Sequence, residues 1–339
     1  MGRKLRDHYL ELLRRFRGCP IAVYGDLVAD EFVYGEISRI SREAPVLILR
    51  HKESRIVPGG GANAVNNLSA LGALPIPVGV LGLDIAGQEL RSHFSTLRIQ
   101  LSLLQKFGEY QTPTKTRFSA GSVHSSRQQV LRIDKETVFQ HTAKTQTVTI
   151  RLLERALKNC RGILISDYGF GFVSPPIVRA MAQRNKRNLP ITLDSRFNLL
   201  DFQGLTAATP NEPEVEASLG IKIGTNTALL ELSGRKLLRK LMMRALLITR
   251  GRDGMALLES GKKTVHIPIF GTDEIADVTG AGDTVIAVFT LALAAGASFP
   301  EAARLSNYAG GIVVMKHGTA TVSLDELRQA ILEDQALKD

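Results

Sequence analysis

The most informative stretch of the chain reads Asp277-Val278-Thr279-Gly280-Ala281-Gly282-Asp283-Thr284, and an apolar segment from Val285 to Ala295 follows it. Small residues let a backbone approach a phosphate closely, and the free N–H groups at the start of a helix favour an anion. An acidic side chain at this point is explained if a hydroxyl has to be deprotonated. We therefore expect Asp283 to act as a base in phosphoryl transfer, with Gly280, Ala281 and Gly282 stabilising the transferred group. The alternative is that Asp283 only caps the helix and the glycines only form a tight turn.

The fold class is predicted by short apolar runs, each preceded by a helical segment. This alternation indicates an α/β protein with a mostly parallel sheet that helices cover on both faces. Polar residues, among them Asp167, Asp194, Asn211 and Gly251, stand at the carboxyl ends of these runs, where ligands bind in open α/β sheets. The runs are residues 20–24, 162–166, 189–193, 206–208 and 245–249.

Two stretches, Glu31 to Arg50 and Thr114 to Ile133, break the alternation with β-type residues at a period of two. We expect them to form a small second sheet, a lid beside the main domain. An amphipathic basic helix is predicted at residues 3–17. Because the chain lacks a repeat or a Pro- or Ser-rich linker, a single domain over residues 1–339 is expected.

The composition of the chain narrows its function class. Of its 339 residues, 44% are hydrophobic and 22% charged, which is typical of a globular protein. No apolar run reaches the roughly 18 to 20 residues that span a bilayer, and no secretory signal is recognised. Cys19 and Cys160 have no metal-ligand spacing, so a cytoplasmic protein is expected. The net charge of +10 is spread along the chain without a nucleic-acid-binding motif, which favours attraction of phosphorylated substrates over nucleic-acid binding.

The string around Asp283 resembles the C-terminal signature of the ribokinase-like, or PfkB-type, carbohydrate kinases. The segment Pro58-Gly59-Gly60-Gly61-Ala62-Asn63 is similar to the N-terminal signature of that family, and Thr209 to Glu214 to its Asn-x-x-Glu element. Thr249 to Gly254 resembles its nucleotide-side turn. The motifs follow the family order from about residue 20 to residue 323. The resemblance implies a ribokinase-like fold and in-line phosphoryl transfer from MgATP to a sugar hydroxyl.

Within the family, the chain resembles the heptose-phosphate kinase branch of ADP-heptose synthesis enzymes. Ser38 to Val46, Arg127-Gln128-Gln129 and Ser166 to Gly169 carry this similarity. It implies phosphorylation of the anomeric hydroxyl of a heptose 7-phosphate. Phe170 replaces a lysine of that branch, and Ser195-Arg196-Phe197 replaces a Pro-Lys-Gly, at positions that could bind the distal phosphate. The alternatives are a kinase for a fructose phosphate or ribose, and a catalytically silent regulator that binds a sugar or a nucleotide. The His-x-Gly-His element of a nucleotidyltransferase is absent, so we do not expect a bifunctional chain.

The resemblance also implies roles for particular residues on the sugar and metal sides. Asn211 and Glu214 are expected to organise Mg²⁺ and its waters near the phosphates. The other readings are an N-cap for Asn63 and a solvated helix position for Glu214. A homodimer formed through the lid is also implied. Expected sugar ligands are Asp30, Asn63 and the backbone of Gly59, Gly60 and Gly61, with Asp26 and Asp167 as further candidates, and the distal phosphate is expected at Arg39, Arg127 and Arg196.

On the nucleotide side, the resemblance implies an ATP site and a monovalent-cation loop of the kind that binds K⁺ in some relatives. The cation loop would combine Asp277 and Thr279 with the segment Lys316 to Thr319. Gly310-Gly311 has an alternative explanation, which is close helix packing. The expected ATP ligands are Asn211, Thr249, Gly251, Gly254, Thr279, Gly282, Asn307 and Gly310.

Overall fold

The computed structural model describes residues 2–121, 128–271, 277–316, 318–334 and 337. Helices and strands alternate over most of this length, and the strands form two sheets. In chain order the elements are α1 Gly2–Arg14, β1 Pro20–Gly25, β2 Leu27–Ile40, β3 Leu47–Gly60, α2 Gly61–Ala70, β4 Leu74–Leu81, α3 Ile85–Thr96, β5 Leu104–Lys106, β6 Thr114–Gly121, β7 Gln128–Lys135, α4 Ala143–Asn159, β8 Gly162–Asp167, α5 Pro175–Arg184, β9 Ile191–Ser195, β10 Ala207–Ala208, α6 Glu212–Leu219, α7 Thr227–Leu241, β11 Ala245–Thr249, β12 Met255–Glu259, β13 Val265–Ile267, α8 Ala281–Ala294, α9 Phe299–Val314 and α10 Leu324–Glu333.

The main sheet has the strand order β13-β12-β11-β10-β9-β8-β1-β4-β5. Every neighbouring pair from β5 to β11 is parallel, and only β12 and β13 are added antiparallel at one edge. Side chains from β1, β8 and β11 are buried on both faces, which is why these strands read as continuous apolar runs. The predicted α/β fold with a mostly parallel sheet is confirmed.

The hydrophobic core consists of two layers, one on each face of the main sheet. Alternate residues of β1 divide between them: Ile21 and Val23 belong to one layer, and Ala22 and Tyr24 to the other. Helix α8 lies in the first layer and is buried along almost its whole length. Its all-round apolar sequence therefore reflects a central position, which brings its N-terminus to the middle of the sheet edge where the strands end.

The second sheet has the order β3-β2-β6-β7 and is longer than the lid strands predicted within residues 31–50 and 114–133. Strand β2 begins at Leu27, and β3 ends at Gly60. The first part of β2 was not predicted because residues 27–30 are buried, so the period-two pattern is hidden there. We call this sheet the lid. The register places Asp30 beside Lys115 and Phe32 beside Arg117. On the other side of β6, Asp134 lies opposite Lys115, and Arg132 lies opposite Arg117. These six residues share one face, the inner face, while Thr116, Phe118, Leu131 and Ile133 share the outer face.

The N-terminal helix ends earlier than the predicted residue 17. Helix α1 ends at Arg14, and the chain turns at Gly18, which has a φ of 69°. Phe16 is fully buried in the same apolar layer as Leu12 and Leu13, so the apolar spacing continues beyond the helix itself. Across the described residues, no helix is long and apolar enough to cross a membrane.

Candidate active site

The starts of helices α2 and α8 meet at the C-terminal edge of the main sheet. Helix α8 is preceded by Gly280, whose φ of 77° is left-handed, and no side chain caps the helix. A Cβ on Gly280 would lie 2.5 Å from Nδ2 of Asn63 in α2, so only glycine fits there. The backbone N–H groups of Gly282 and Asp283 have no backbone acceptor among the described residues. This helix start is therefore able to bind an anion.

Asp283 is held in place by two side chains from distant parts of the sequence. Nδ2 of Asn63 donates to its Oδ2 at 3.1 Å, and the Tyr168 hydroxyl donates to its Oδ1 at 2.9 Å. Asp283 is only 2% exposed, and burial raises its pKa to about 7, although both hydrogen bonds act to lower it. A carboxylate with this pKa suits proton abstraction near neutral pH. The structure does not support the alternative that Asp283 is the helix cap, because that position belongs to Gly280.

A chain of amides behind Asn63 fixes the orientation of that side chain. Asn67, one turn further along α2, donates from Nδ2 to Oδ1 of Asn63 at 3.1 Å. Oδ1 of Asn67 accepts in turn from the Thr284 hydroxyl and from the backbone N–H of Val322. Nδ2 of Asn63 must therefore face Asp283, and helix α2 shows no side-chain cap. Sequence reasoning missed Asn67; its spacing of four residues from Asn63 on a helix was the available signal.

Asp30 lies on the inner face of the lid beside the glycine segment that leads into α2. Its Oδ1 is paired with Nη1 of Arg117 at 2.6 Å, and its Oδ2 accepts from the Thr319 hydroxyl at 3.1 Å. A Cβ on Gly59 would lie 2.7 Å from this carboxylate. The structure thus brings the expected sugar ligands Asp30, Gly59 and Asn63 to the region around Asp283.

Asp26 and Asp167 have different partners from those expected. Asp26 accepts hydrogen bonds from the backbone N–H groups of Tyr168, Phe170 and Phe172, and burial raises its pKa to about 7. Asp167 accepts from the backbone of Gly169 and from the Ser195 hydroxyl. These oxygens bind the loop at residues 168–172 and its surroundings, so both aspartates have a structural role, and their contact with a sugar stays a prediction.

A cleft beside the start of α8 gathers most of the expected nucleotide ligands. Its walls are largely apolar, formed by side chains such as Met255 and Val285, with the bare helix start at one end. A slot of this kind suits a purine with its phosphates at the helix N-terminus. The expected residues that line it are Thr249, Gly251, Gly254, Gly282, Asn307 and Gly310; Thr279 and Asn211 are not among the lining residues.

The neighbouring glycines of α9 differ in what they contact. Both glycines line the cleft, but only at Gly311 would a Cβ lie within 2.1 Å of a backbone atom, the carbonyl oxygen of Phe270. Asn307 donates to the carbonyl of Pro268 at 2.9 Å, which ties the same loop to α9. Close packing therefore explains Gly311, and the cleft explains Gly310.

Asn211 and Glu214 form a capping box at the start of α6. Oδ1 of Asn211 accepts from the Glu214 backbone at 2.8 Å, and Oε2 of Glu214 accepts from the Asn211 backbone at 2.9 Å. Burial nevertheless raises the pKa of Glu214 to about 7. The solvated reading of Glu214 is wrong, because the side chain is partly buried and hydrogen-bonded.

Asp194, at the end of β9, is a second carboxylate of this region. It makes no hydrogen bond or ion pair within the part of the chain that the structure describes, and burial together with Glu214 and Asp283 raises its pKa well above the usual range. Its Oδ2 lies 3.8 Å from the Cβ position of Gly282. The charge of Arg196 acts to lower the pKa of both Asp194 and Glu214, but burial outweighs it. Two buried carboxylates this close together suit Mg²⁺, which takes one or two carboxylates together with phosphates and waters. No group of three or more metal-ligating side chains was found among the described residues.

The expected cation loop is held together by Asp277. Its Oδ1 accepts from the backbone of Thr279 at 2.8 Å and its Oδ2 from the backbone of Gly318 at 3.0 Å. Burial acts to raise the pKa of Asp277, but these hydrogen bonds outweigh it and the pKa is lowered. Lys316 points its ammonium group to the carbonyl of Thr321 and to Glu326. The two halves of the predicted loop are thus adjacent.

The three arginines expected at the distal phosphate are not brought together. Arg196 is exposed, with its guanidinium 5.5 Å from the centroid of the Phe197 ring, and lies near Asp194 and Lys115. Arg39 is exposed on β2, nine residues beyond Asp30, or about 30 Å along the strand at ~3.3 Å per residue. Arg127 lies outside the described residues. Of the two arginines that the structure describes, Arg196 lies near the site and Arg39 does not.

Solved structures of known proteins share the fold described above. The structure of Arabidopsis thaliana ribokinase complexed with ribose and ATP superposes with a TM-score of 0.69 at 19% identity, over 95% of this chain and 99% of that one. Phosphofructokinase-2 from Escherichia coli in complex with potassium gives a TM-score of 0.72 at 16% identity, over 95% and 100% of the two chains. The fold is that of the ribokinase-like kinases.

At the sequence level, residues 21–327 match the pfkB family carbohydrate kinases, and the chain belongs to that family. It is a sugar kinase, a phosphotransferase, and kinases of this family use ATP and a divalent metal ion. Two similar curated proteins, each named Bifunctional protein HldE, come from Hahella chejuensis, at 38% identity, and Desulfatibacillum aliphaticivorans, at 37%. Both alignments cover 95% of this chain, which spans 65% of the length of those relatives. The family prediction is confirmed.

Proposed function

We propose that this kinase transfers the γ-phosphoryl group of ATP to the anomeric hydroxyl of a heptose 7-phosphate, with Asp283 as the base. The observation that carries the proposal is the position of Asp283, between the amide of Asn63 and the hydroxyl of Tyr168 at the uncapped start of α8. The choice of sugar is supported by the similarity to the heptose-phosphate kinase branch and by the relatives named HldE.

In the proposed reaction the sugar hydroxyl loses its proton to Asp283 as its oxygen attacks the γ-phosphorus. The new oxygen–phosphorus bond forms while the bond to the departing ADP breaks, which is the in-line geometry of phosphoryl transfer. Asp30 and Asn63 would orient the sugar. The free N–H groups of Gly282 and Asp283 would stabilise the negative charge of the phosphoryl group as it passes between the two oxygens.

A divalent metal, which we propose to be Mg²⁺, would neutralise phosphate charge when it is bound. Asp194 and Glu214 fit this ion because their carboxylates are buried close enough together for Glu214 to raise the pKa of Asp194, and Asn211 positions Glu214. Asp277 and Thr279 remain the proposed elements of a monovalent-cation loop with the segment around Gly318.

We further propose that the protein is a homodimer formed through the lid. The outer face of this sheet exposes aliphatic side chains, with Leu131 53% and Ile133 47% exposed, and Ile40 at the tip of β2 is 65% exposed. Adjacent exposed aliphatic residues are typical of a surface that another protein covers.

The direct test is a coupled ADP-release assay over heptose 7-phosphate, fructose phosphates and free ribose, with Mg²⁺ and with chelator. We expect the highest kcat/KM for heptose 7-phosphate and no turnover without a divalent ion. Asp283→Asn should retain binding of ATP and sugar but lose about a hundredfold to ten-thousandfold in kcat, since this is the contribution of a general base. Near-normal turnover of this variant would refute the role of Asp283.

The same assay separates the alternatives. A preference for a fructose phosphate or for ribose would support a kinase function but reject heptose 7-phosphate as the substrate. Phe170 and the segment Ser195-Arg196-Phe197, which differ from the heptose-phosphate kinase branch, would then explain the change of substrate. Ligand binding without turnover of any sugar would support a silent regulator instead.

A further inference from the structure

A buried lysine that the preceding sections leave without a function lies on the inner face of the lid. Lys115 is 9% exposed, and its Nζ lies 4.7 Å above the centroid of the Tyr168 ring. The hydroxyl of that same ring donates to Asp283. The ammonium group of Lys115 therefore lies over Tyr168, which contacts the proposed base. Lys115 is not one of the residues that line the nucleotide cleft.

The acidic neighbours of Lys115 on the lid are already paired with other cations. Asp30, its partner on β2, forms an ion pair with Arg117 at 2.6 Å, and Asp134, its partner on β7, accepts from Nε of Arg132 at 2.7 Å. Within the described ranges, Nζ of Lys115 has no ion pair or hydrogen bond. Asp30 and Asp283 attract this ammonium group, but neither forms an ion pair with it. A buried charge without a direct counter-ion is costly, so an anion that contacts Nζ would be stabilising here.

Two further cations increase the local positive charge. Burial lowers the pKa of Lys115, and Arg196 and Arg132 lower it further because their charges are close. Arg196 is exposed and contacts the face of Phe197, while Arg132 is on the neighbouring lid strand. Three cations, from the lid and from the loop after β9, are thus close enough to interact, and Arg132 is also paired with Asp134.

We propose that Lys115, assisted by Arg196 and Arg132, binds the phosphate ester that the sugar substrate already carries. The inference deepens the proposed function, since it assumes that a sugar lies between Asp30 and Asp283, and it makes the substrate class a sugar phosphate. It also explains why Phe170 can be an apolar residue: the cation comes from the lid. Phe170 itself is buried and 7% exposed.

The competing explanation is that Lys115 stabilises the phosphoryl group in transit. That group is present with every acceptor, whereas a distal phosphate is present only on phosphorylated acceptors. The two explanations therefore differ in what removal of the lysine does to free sugars.

The binding arm of the experiment titrates inorganic phosphate into the protein by calorimetry, with AMP-PNP and Mg²⁺ filling the nucleotide site. Lys115→Met should raise the Kd for phosphate at least about tenfold, the loss of one charge-assisted contact. Arg196→Met, at an exposed position that does not endanger folding, should weaken binding in the same direction. Lys240→Met, an exposed lysine at the end of α7, is the matched control and should bind like the unchanged protein.

The kinetic arm compares a sugar with its phosphate ester, using whichever pair the substrate screen identifies. Because the charge of Lys115 also lowers the pKa of Asp283, the comparison is made at pH 8, above the pKa of that base of about 7. There, Lys115→Met should raise KM for the ester at least about tenfold, and should change kcat and the kinetics of the free sugar much less. An equal fall in kcat for both acceptors would overturn the proposal in favour of the transferred group. Absence of phosphate binding to the unchanged protein, or equal binding to Lys115→Met and Arg196→Met, would also overturn it.

These outcomes are separable from those of the proposed function. If another sugar phosphate is turned over in place of heptose 7-phosphate, the heptose assignment fails and the role of Lys115 can still be supported. The calorimetric arm requires no turnover at all.

Discussion

The two oxygens of Asp283 are bonded to donors of different kinds. The amide of Asn63 is fixed by Asn67, whereas the Tyr168 hydroxyl belongs to a loop and lies under the lysine of the lid. An entering sugar hydroxyl needs access to one of these oxygens.

Replacing Tyr168 by phenylalanine should shift the pH dependence of the reaction. The hydroxyl lowers the pKa of Asp283, so its loss should raise that pKa above the present value of about 7. Since the base acts when ionised, kcat/KM should fall at pH 6 by several-fold relative to the unchanged protein and recover towards pH 9. The measurement is the acid limb of the kcat/KM profile.

Tyr110→Phe serves as the control. Tyr110 is also buried, but its acidic neighbours are Asp26 and Asp84 and not Asp283, so this change should leave the acid limb in place. An unchanged acid limb in Tyr168→Phe would mean that the base is not Asp283 or that Tyr168 does not tune it.

Among single residues, the sequence predicted the proposed base and the glycine turn, but not the side chains that hold Asp283 in place. Asp283 and Gly280 stand in one local string, so the chemistry of the string could be recognised directly. Tyr168 and Asn63 contact Asp283 across 115 and 220 residues, and no local pattern reports such contacts. The bonding of Asp26 to backbone groups was missed for the same reason: an aspartate after a strand reads identically whether it faces a ligand or a neighbouring loop.

Among the elements, the loop at residues 168–172 positions Tyr168, and Asp26 organises this loop. One oxygen of Asp26 accepts from the N–H groups of Tyr168 and Phe170, and the other accepts from Phe172. The backbone N–H groups of Tyr168, Phe170 and Phe172 are thus hydrogen-bonded to the Asp26 side chain, which is only 1% exposed.

Asp26→Asn should therefore destabilise the protein by about 1–3 kcal/mol, because the amide N–H₂ replaces an acceptor and faces a backbone donor. The free energy of unfolding in urea measures this cost. Asp325→Asn, on an exposed position of α10, should change it by less than about 0.5 kcal/mol. Equal stability of Asp26→Asn and the unchanged protein would show that the loop does not depend on these bonds.

Strands buried on both faces were the elements that the sequence predicted well, since β1, β8 and β11 read as unbroken apolar runs. Strand β4 was not predicted, and its prolines explain why. Pro75 and Pro77 argue against a strand, yet β5 pairs only with residues 79–81, so β4 is an edge at both prolines. The antiparallel strands β12 and β13 also escaped prediction, because their pairing depends on a turn and not on a helical crossover.

At the scale of the whole molecule, the lid has two chemically different faces. The inner face carries the charged residues around Asp30 and Lys115, and the outer face carries Leu131 and Ile133. We have proposed that the inner face binds the substrate and that the outer face pairs with a second copy.

Leu131→Glu should convert the proposed dimer into a monomer, since a carboxylate would be buried without a partner in the interface. Sedimentation velocity at about 10 µM is the measurement, with a loss of at least about tenfold in dimer affinity expected. Leu232→Glu, the same change at a 64% exposed leucine of α7, should leave the dimer intact. A monomeric unchanged protein, or a dimeric Leu131→Glu variant, would reject the lid as the interface.

The contact between Gly280 and Asn63 joins positions 217 residues apart. During synthesis on the ribosome, α2 and both long lid strands emerge well before the segment that carries Asp283. A nascent chain can therefore assemble its sugar-facing wall early, but it has no oriented carboxylate until the final quarter has been translated and docked. With Asp283 as the proposed base, phosphoryl transfer would begin only when folding is complete, and unfinished chains would not consume nucleotide.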